Sequence, residues 1–190
     1  MPKTVDHSAR RAELIATAAK LIADRGMDGL TIRSVAKAAG VSTGVVSHYF
    51  SDKLDLVKTT FDVTSDEVYE RVLKGAAKHD ALTSLEGLLP LNAQRQRSWQ
   101  VWIAFWGLAI GDAKFRADQR VRARRALKLV DQILGRAVAN GEMRRSTDSA
   151  NKAALILGVI QGIAAHTVFD PREWPAERQR AALSLALERL

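Results

Sequence analysis

Apolar positions recur along most of the chain at spacings of three and four, the period of an α-helix with one buried face. Leu14, Ile15, Ala18, Ala19 and Ile22 form the first run, with Ser8 placed to cap its start and Gly26 to stop it. Thr31 can cap "IRSVAKAA" ahead of Gly40, and Ser42 can cap "TGVVSHYF". Ser51 or Asp52 then opens a longer helix, roughly Asp52 to Lys78, through Leu54, Val57, Phe61, Val68 and Val72. Beyond residue 80 the boundaries soften, with Pro90 as a break. There "SWQVWIAFWGLAI" reads as a buried helix and "KFRADQRVRARRALKLVDQILGRAVAN" as a long amphipathic one ending at Gly141. "DSANKAALILGVIQGIAAHTVF" is apolar on nearly all sides, and a last helix follows Pro175. No segment alternates with period two, so the expected fold is all-α.

Composition narrows the class. The 190 residues are 47% hydrophobic, enough for an ordinary globular core. The absence of cysteine excludes disulfides and thiolate metal sites and suits a reducing cytoplasm. The opening residues lack a signal-peptide core and no apolar run is read as a membrane span, so a soluble cytoplasmic protein without a membrane partner is expected. Most of the net charge of +8 lies in residues 114–145, a run that suits a solvated helix face, with nucleic acid or an acidic protein as alternative contacts. His7, His48, His79 and His166 lack metal-ligand spacing, and no P-loop, dinucleotide fingerprint, GxSxG or HExxH is present. No catalytic residue, metal or cofactor is therefore expected.

"AGVSTGVVSHYFSDK", residues 39–53, continues one short helical pattern into the next through a glycine. Such a pair forms a helix-turn-helix, in which the second helix enters the major groove of DNA and the first crosses the backbone. Ala36 is small enough for close approach and Gly40 permits the turn. Val35, Ala39, Val41, Val46 and Tyr49 supply the apolar contacts that set the angle, leaving Ser42, Thr43, Gly44, Val45, Ser47 and His48 outward. A helix this short does not stabilise itself, so a small polar face suits a groove; a helical hairpin that never meets DNA shares the pattern.

"LTIRSVAKAAGVSTGVVSHYFSDKLDLV", Leu30 to Val57, resembles the DNA-binding signature of TetR-family transcriptional regulators, with the glycine turn, the Tyr-Phe pair and the following Lys at family spacing. The likeness is close over the first third of the chain and extends beyond it in length and helical order. It implies a three-helix DNA-binding domain, residues 1–52, joined through a long fourth helix to a helical ligand-binding and dimerisation domain, residues 53–190. Carried over by position, it assigns Ser42, Thr43, Gly44, Val45 and His48 to the recognition helix. Arg33 becomes a base or phosphate contact, and Tyr49 and Lys53 phosphate contacts, although Tyr49 suits a core ring with its hydroxyl outside equally well. The partner implied is a palindromic double-stranded operator bound by a homodimer.

In "AALILGVIQGIAAHTVF", Leu155, Val159, Gly162, Ile163 and His166 are spaced to share a face, and Gly158 and Gly162 leave room for another backbone. A helix apolar all round must be covered all round, by its own subunit or by a partner, and the family resemblance points to a four-helix dimer interface. "WQVWIAFWG" holds three of the four tryptophans. Trp99, Trp102 and Trp106 fall within about 60° of one another on a helical wheel, with Phe105 on one flank. Such a stripe fills a core, or forms a cage for a quaternary ammonium ion, which has no N–H to donate and is held by ring faces. With the recognition helix, "WIAFW" is similar to the choline-responsive repressors of glycine-betaine synthesis within the TetR family. That likeness implies a choline-like cation as effector, Trp102, Phe105, Trp106 and Trp99 as cage walls, and Asp112 as counter-charge, with Glu86 as another source of it. The ligand would favour one tilt of the fourth helix, because half-sites about 34–36 Å apart tolerate little change in recognition-helix spacing. A regulator of a transport or catabolic operon with an apolar or aromatic effector, and a helical adaptor without DNA specificity, remain alternatives.

Overall fold

The computed structural model describes residues 6–144 and 148–189. Its described residues form nine helices and no strand. They are α1 (His7–Arg25), α2 (Ile32–Ala38), α3 (Thr43–Tyr49), α4 (Lys53–Ala76), α5 (Ala81–Glu86), α6 (Ala93–Gly111), α7 (Ala113–Ala139), α8 (Ser149–Phe169) and α9 (Ala176–Glu188).

Side-chain caps account for most of the starts. Thr31 accepts from Ser34 N–H while the Ser34 hydroxyl accepts from Thr31 N–H, a reciprocal box at α2. Ser42 caps α3, Asp52 α4, Asp80 α5 and Asn92 α6. At α1 the cap is Asp6 rather than Ser8, because the Asp6 carboxylate accepts from Ser8 and Ala9 N–H. Gly26, Gly40 and Gly141 have positive φ where the chain leaves α1, α2 and α7. The short helix α5 has no counterpart in the sequence reading.

Two apolar cores hold the fold. One joins α1, α2, α3 and the first turns of α4 to Val101, Phe105 and Ala109 of α6 and Phe115 of α7. The other joins Val68 and Val72 of α4, Leu85 and Leu89, Trp99, and the inner faces of α7, α8 and α9. The boundary expected between residues 52 and 53 coincides with the α4 cap, but the packing changes core farther along, between Phe61 and Val68. Three helices, α4, α6 and α7, therefore cross between the cores, and α6 also packs directly on α1.

By length and composition α8 could cross a bilayer, which corrects the reading that no run reaches that length. Here its Ala153, Ile156, Ile160, Ile163, Ala164 and Thr167 are buried against the same chain.

Candidate nucleic-acid interface and effector cavity

α2 and α3 pack through buried Val35, Ala36 and Val46, with Ala39, Val41 and Tyr49 partly buried against the same core. Gly40 has φ 67°, and a Cβ there would meet nothing, so the glycine serves the turn and not a close approach. Ser42, Thr43, Gly44, Ser47 and His48 are exposed along α3, and Val45 is half-buried. The Ser42 hydroxyl oxygen accepts from Val45 N–H at 3.4 Å. Arg33 is exposed on the first turn of α2. Two expected phosphate contacts already have protein partners. Lys53 Nζ donates to the Met27 carbonyl at 2.8 Å, tying the start of α4 to the loop after α1. The Tyr49 hydroxyl lies 2.9 Å from His7 Nδ1, and the His48 ring meets Tyr49 edge-on at 5.0 Å.

A second feature opens between α4, α6, α7 and α8. It is a cavity of about 370 Å³ lined by Trp99, Trp102 and Trp106, by Phe61 and Tyr69, and by aliphatic side chains including Leu88, Leu129 and Ile160. Trp99 stands edge-to-face to Trp102 at 4.7 Å and to Trp106 at 6.1 Å. Its own N–H donates to the Leu88 carbonyl at 2.8 Å, which fixes the ring. Trp102 and Gln119 are among the lining residues, and Trp102 Nε1 and Gln119 Oε1 are buried without a hydrogen-bond partner. A buried donor and acceptor left unmade are costly, so these two atoms favour an occupant that bonds to them.

Three carboxylates, Asp62, Asp66 and Asp118, reach the cavity, and each meets a cation. Lys58 bridges Asp62 and Asp118 at 3.3 and 3.1 Å; Arg122 pairs with Asp62 and Arg125 with Asp66. The two guanidiniums also cover rings, Arg122 over Phe61 at 4.6 Å and Arg125 over Tyr69 at 3.9 Å. Burial first, and the charge of Arg125 second, holds the Arg122 pKa below the usual guanidinium value. The tryptophan faces thus remain as the aromatic surface not already covered by a protein cation. Sequence reasoning missed Phe61, Tyr69 and the Asp62–Asp66–Asp118 set, because α4 and α7 meet only in the tertiary fold.

Two predicted ligand residues lie elsewhere. Phe105 is fully buried in the core, stacked on Phe61 at 3.8 Å and edge-on to Phe115 at 5.2 Å, so it backs the cavity wall without lining it. Asp112 caps α7 by accepting from Lys114 and Phe115 N–H, and Glu86 pairs with Arg180. The helix "SWQVWIAFWGLAI" is not buried throughout, since Ile110 is 76% exposed.

On α8, Leu155, Gly158, Gly162 and His166 are exposed and Val159 is half-buried. Ile163, expected on that face, points inward and is 4% exposed, since it lies one helical step from Gly162 toward the core. A Cβ at Gly158 or Gly162 would meet nothing within 4 Å, and exposed Phe169 and Leu185 extend the apolar surface.

Residues 14–60 match the family profile described as bacterial regulatory proteins, tetR family, and residues 77–190 match the BetI-type transcriptional repressor C-terminal profile. Over 196 aligned residues the chain is 32% identical to the HTH-type transcriptional regulator BetI of Burkholderia ambifaria, covering 98% of this chain and 94% of that protein. The chain belongs to the TetR family. It is also 26% identical to the HTH-type transcriptional regulator PksA of Bacillus subtilis, over 90% of this chain and 84% of that one. A transcriptional regulator from Saccharomonospora viridis, solved in complex with choline, has the same fold, with a TM-score of 0.84, 21% identity and 96% and 97% of the two chains covered. Membership in the TetR family makes this chain a DNA-binding transcriptional regulator with a BetI-type C-terminal domain, which sets aside an enzyme and an adaptor without DNA specificity. Among the described residues no group of three or more histidine or acidic side chains could hold a metal ion.

Proposed function

We propose that this regulator is a cytoplasmic homodimeric repressor, released from a palindromic operator by a small quaternary ammonium effector of the choline class. The observation that carries the reading is the cavity wall of Trp99, Trp102 and Trp106, with Trp102 and Gln119 of the lining each holding a buried polar atom without a partner. Ring faces hold an ammonium that has no N–H to offer, and a hydroxyl can both accept from Trp102 and donate to Gln119, which choline combines in one molecule. The BetI relatives and the choline-bound neighbour support the same class. Asp62, Asp66 and Asp118 are balanced by Lys58, Arg122 and Arg125, so the ring faces carry the cation, while Phe105 and Asp112 take supporting roles in the core and at the α7 cap.

The reading unit is residues 1–52, with Arg33, Ser42, Thr43, Gly44, Val45, His48, Tyr49 and Lys53 on the DNA side, and residues 53–190 form the effector and dimer unit. Leu155, Gly158, Val159, Gly162 and His166 form the dimer face. Phe61 links the two units: its ring lines the cavity and stacks on Phe105, which packs in the same core as α1. An effector that pushes on Phe61, Trp102 or Trp106 biases α4 and α6 together and so the tilt of the reader. Linkage requires DNA to weaken effector binding by the same factor.

The test is tryptophan fluorescence of the full chain titrated with choline, glycine betaine and the neutral isostere 3,3-dimethylbutanol, with duplex DNA release followed in parallel. Saturable change and DNA release with choline, absent with the neutral alcohol, support the reading. A response to the alcohol equal to that with choline overturns it in favour of an apolar effector, for which the aliphatic part of the cavity has room.

A further inference from the structure

His7 and Tyr49 are 42 residues apart in sequence, yet the first turn of α1 brings His7 Nδ1 to 2.9 Å from the Tyr49 hydroxyl at the end of α3. The His48 ring completes the cluster, 5.9 Å from His7 and 5.0 Å from Tyr49. His7 and His48 are exposed and Tyr49 is half-buried.

The contact admits two proton placements, and only one is compatible with DNA. A phosphate oxygen only accepts hydrogen bonds, and a tyrosine hydroxyl has one hydrogen. If Tyr49 donates to His7, it has nothing left for a phosphate. If His7 donates from Nδ1, the hydroxyl accepts from His7 and its hydrogen is free to turn outward.

We propose that His7 is a positioning residue for DNA binding: it donates from Nδ1 to the Tyr49 hydroxyl in the complex and so aims the hydroxyl hydrogen at a backbone phosphate. This rests on the reading of Tyr49 as a phosphate contact. The complex selects the forms of His7 that carry a proton on Nδ1, the imidazolium among them. Binding therefore favours the protonated ring, so affinity is expected to rise as pH falls. Among the described residues, the titratable and charged groups around His7 are the α1 cap Asp6, Arg10 and Arg11 on its own helix, and His48 and Tyr49 from α3. Asp6 is held ionised by the Ser8 hydroxyl and by Ala9 and Ser8 N–H, Arg10 pairs with Glu13, and Arg11 lies over Phe50. His48 is thus the other imidazole beside the contact.

The experiment measures affinity of the full chain for a duplex selected by the protein from a random-sequence pool, at constant ionic strength, at about pH 6 and about pH 8. The variants are His7→Ala, His7→Asn, Tyr49→Phe and the His7→Ala/Tyr49→Phe pair, each also in a His48→Gln background to remove the neighbouring imidazole. His7→Ala is expected to weaken binding about tenfold at the lower pH and to flatten the pH profile. His7→Asn, whose amide donor does not titrate, restores binding at both pH values. In the Tyr49→Phe background His7→Ala changes nothing further. An equal His7→Ala loss with and without the tyrosine hydroxyl overturns the positioning role, because His7 then acts on DNA or on the fold directly. Unchanged binding in His7→Ala, with a loss in Tyr49→Phe, overturns the inference and leaves the phosphate contact standing. Unchanged binding in Tyr49→Phe overturns both.

Discussion

Trp102 carries two jobs in one side chain, a ring in the cavity wall and a buried N–H without a partner. Trp102→Phe keeps most of the ring and deletes the donor. Choline affinity is expected to fall about tenfold by calorimetry, while the thermal midpoint of the free protein stays level or rises, because the deleted N–H was desolvated for no bond. Phe61 divides its roles differently, touching the cavity on one side and Phe105 on the other. Phe61→Leu should leave choline binding within a few-fold and blunt the release of DNA by choline, a split read by running the two titrations on the same preparation. Loss of both together would mean that the stack serves the cavity and not its coupling to the reader.

At the scale of elements, the turn and the reading helix use glycine for different reasons. Gly40 has a positive φ, so Gly40→Ala should cost about 1 kcal/mol in urea denaturation through left-handed strain. Gly44 lies within α3, where a Cβ would meet only the Ser42 hydroxyl oxygen at 3.7 Å. Gly44→Ala should therefore stabilise the fold by up to about 1 kcal/mol and weaken DNA binding, since the added methyl projects from the exposed face into whatever the helix approaches. Cap chemistry gives α5 a pH dependence. The Thr83 N–H first, and its hydroxyl second, hold the Asp80 carboxyl below its ordinary value. With the folded pKa depressed, the stabilisation is present above the ordinary carboxylate range and is lost as pH falls through the folded value. Asp80→Ala should cost about 1 kcal/mol at neutral pH, and the gap to the parent should close in acid.

For the whole molecule, α8 decides between two kinds of damage. Leu155 is 56% exposed on the face that carries Gly158 and Gly162, whereas Ile163 is buried in the chain's own core. Leu155→Arg should leave a folded monomer by sedimentation with operator affinity reduced to the sequence-independent level, because one reader reaches one half-site. Ile163→Ala should instead lower stability by about 2–5 kcal/mol, with the dimer lost only as the fold is lost.

The sequence by itself determined every described helix but α5, and with them the helix-turn-helix. Helical period, the Thr31 and Ser42 caps and the Gly40 turn are local interactions, and the helix-turn-helix is built from neighbours in the chain. The tryptophan stripe was legible for the same reason, since Trp99, Trp102 and Trp106 share one helix. Which flank of that stripe opens to a cavity was not. Phe105 looked like part of the wall, yet the meeting of α6 with α1 and α4 turned it onto Phe61 and buried it. Asp112 looked like a counter-charge until the break between α6 and α7 made it a cap. The carboxylates that do reach the cavity come from α4 and α7, far apart in sequence. Tertiary structure alone decided which charges reach the cavity and which core backs its wall, because helical periodicity says that a face is covered, while the choice of what covers it depends on distant segments packing around a shared volume.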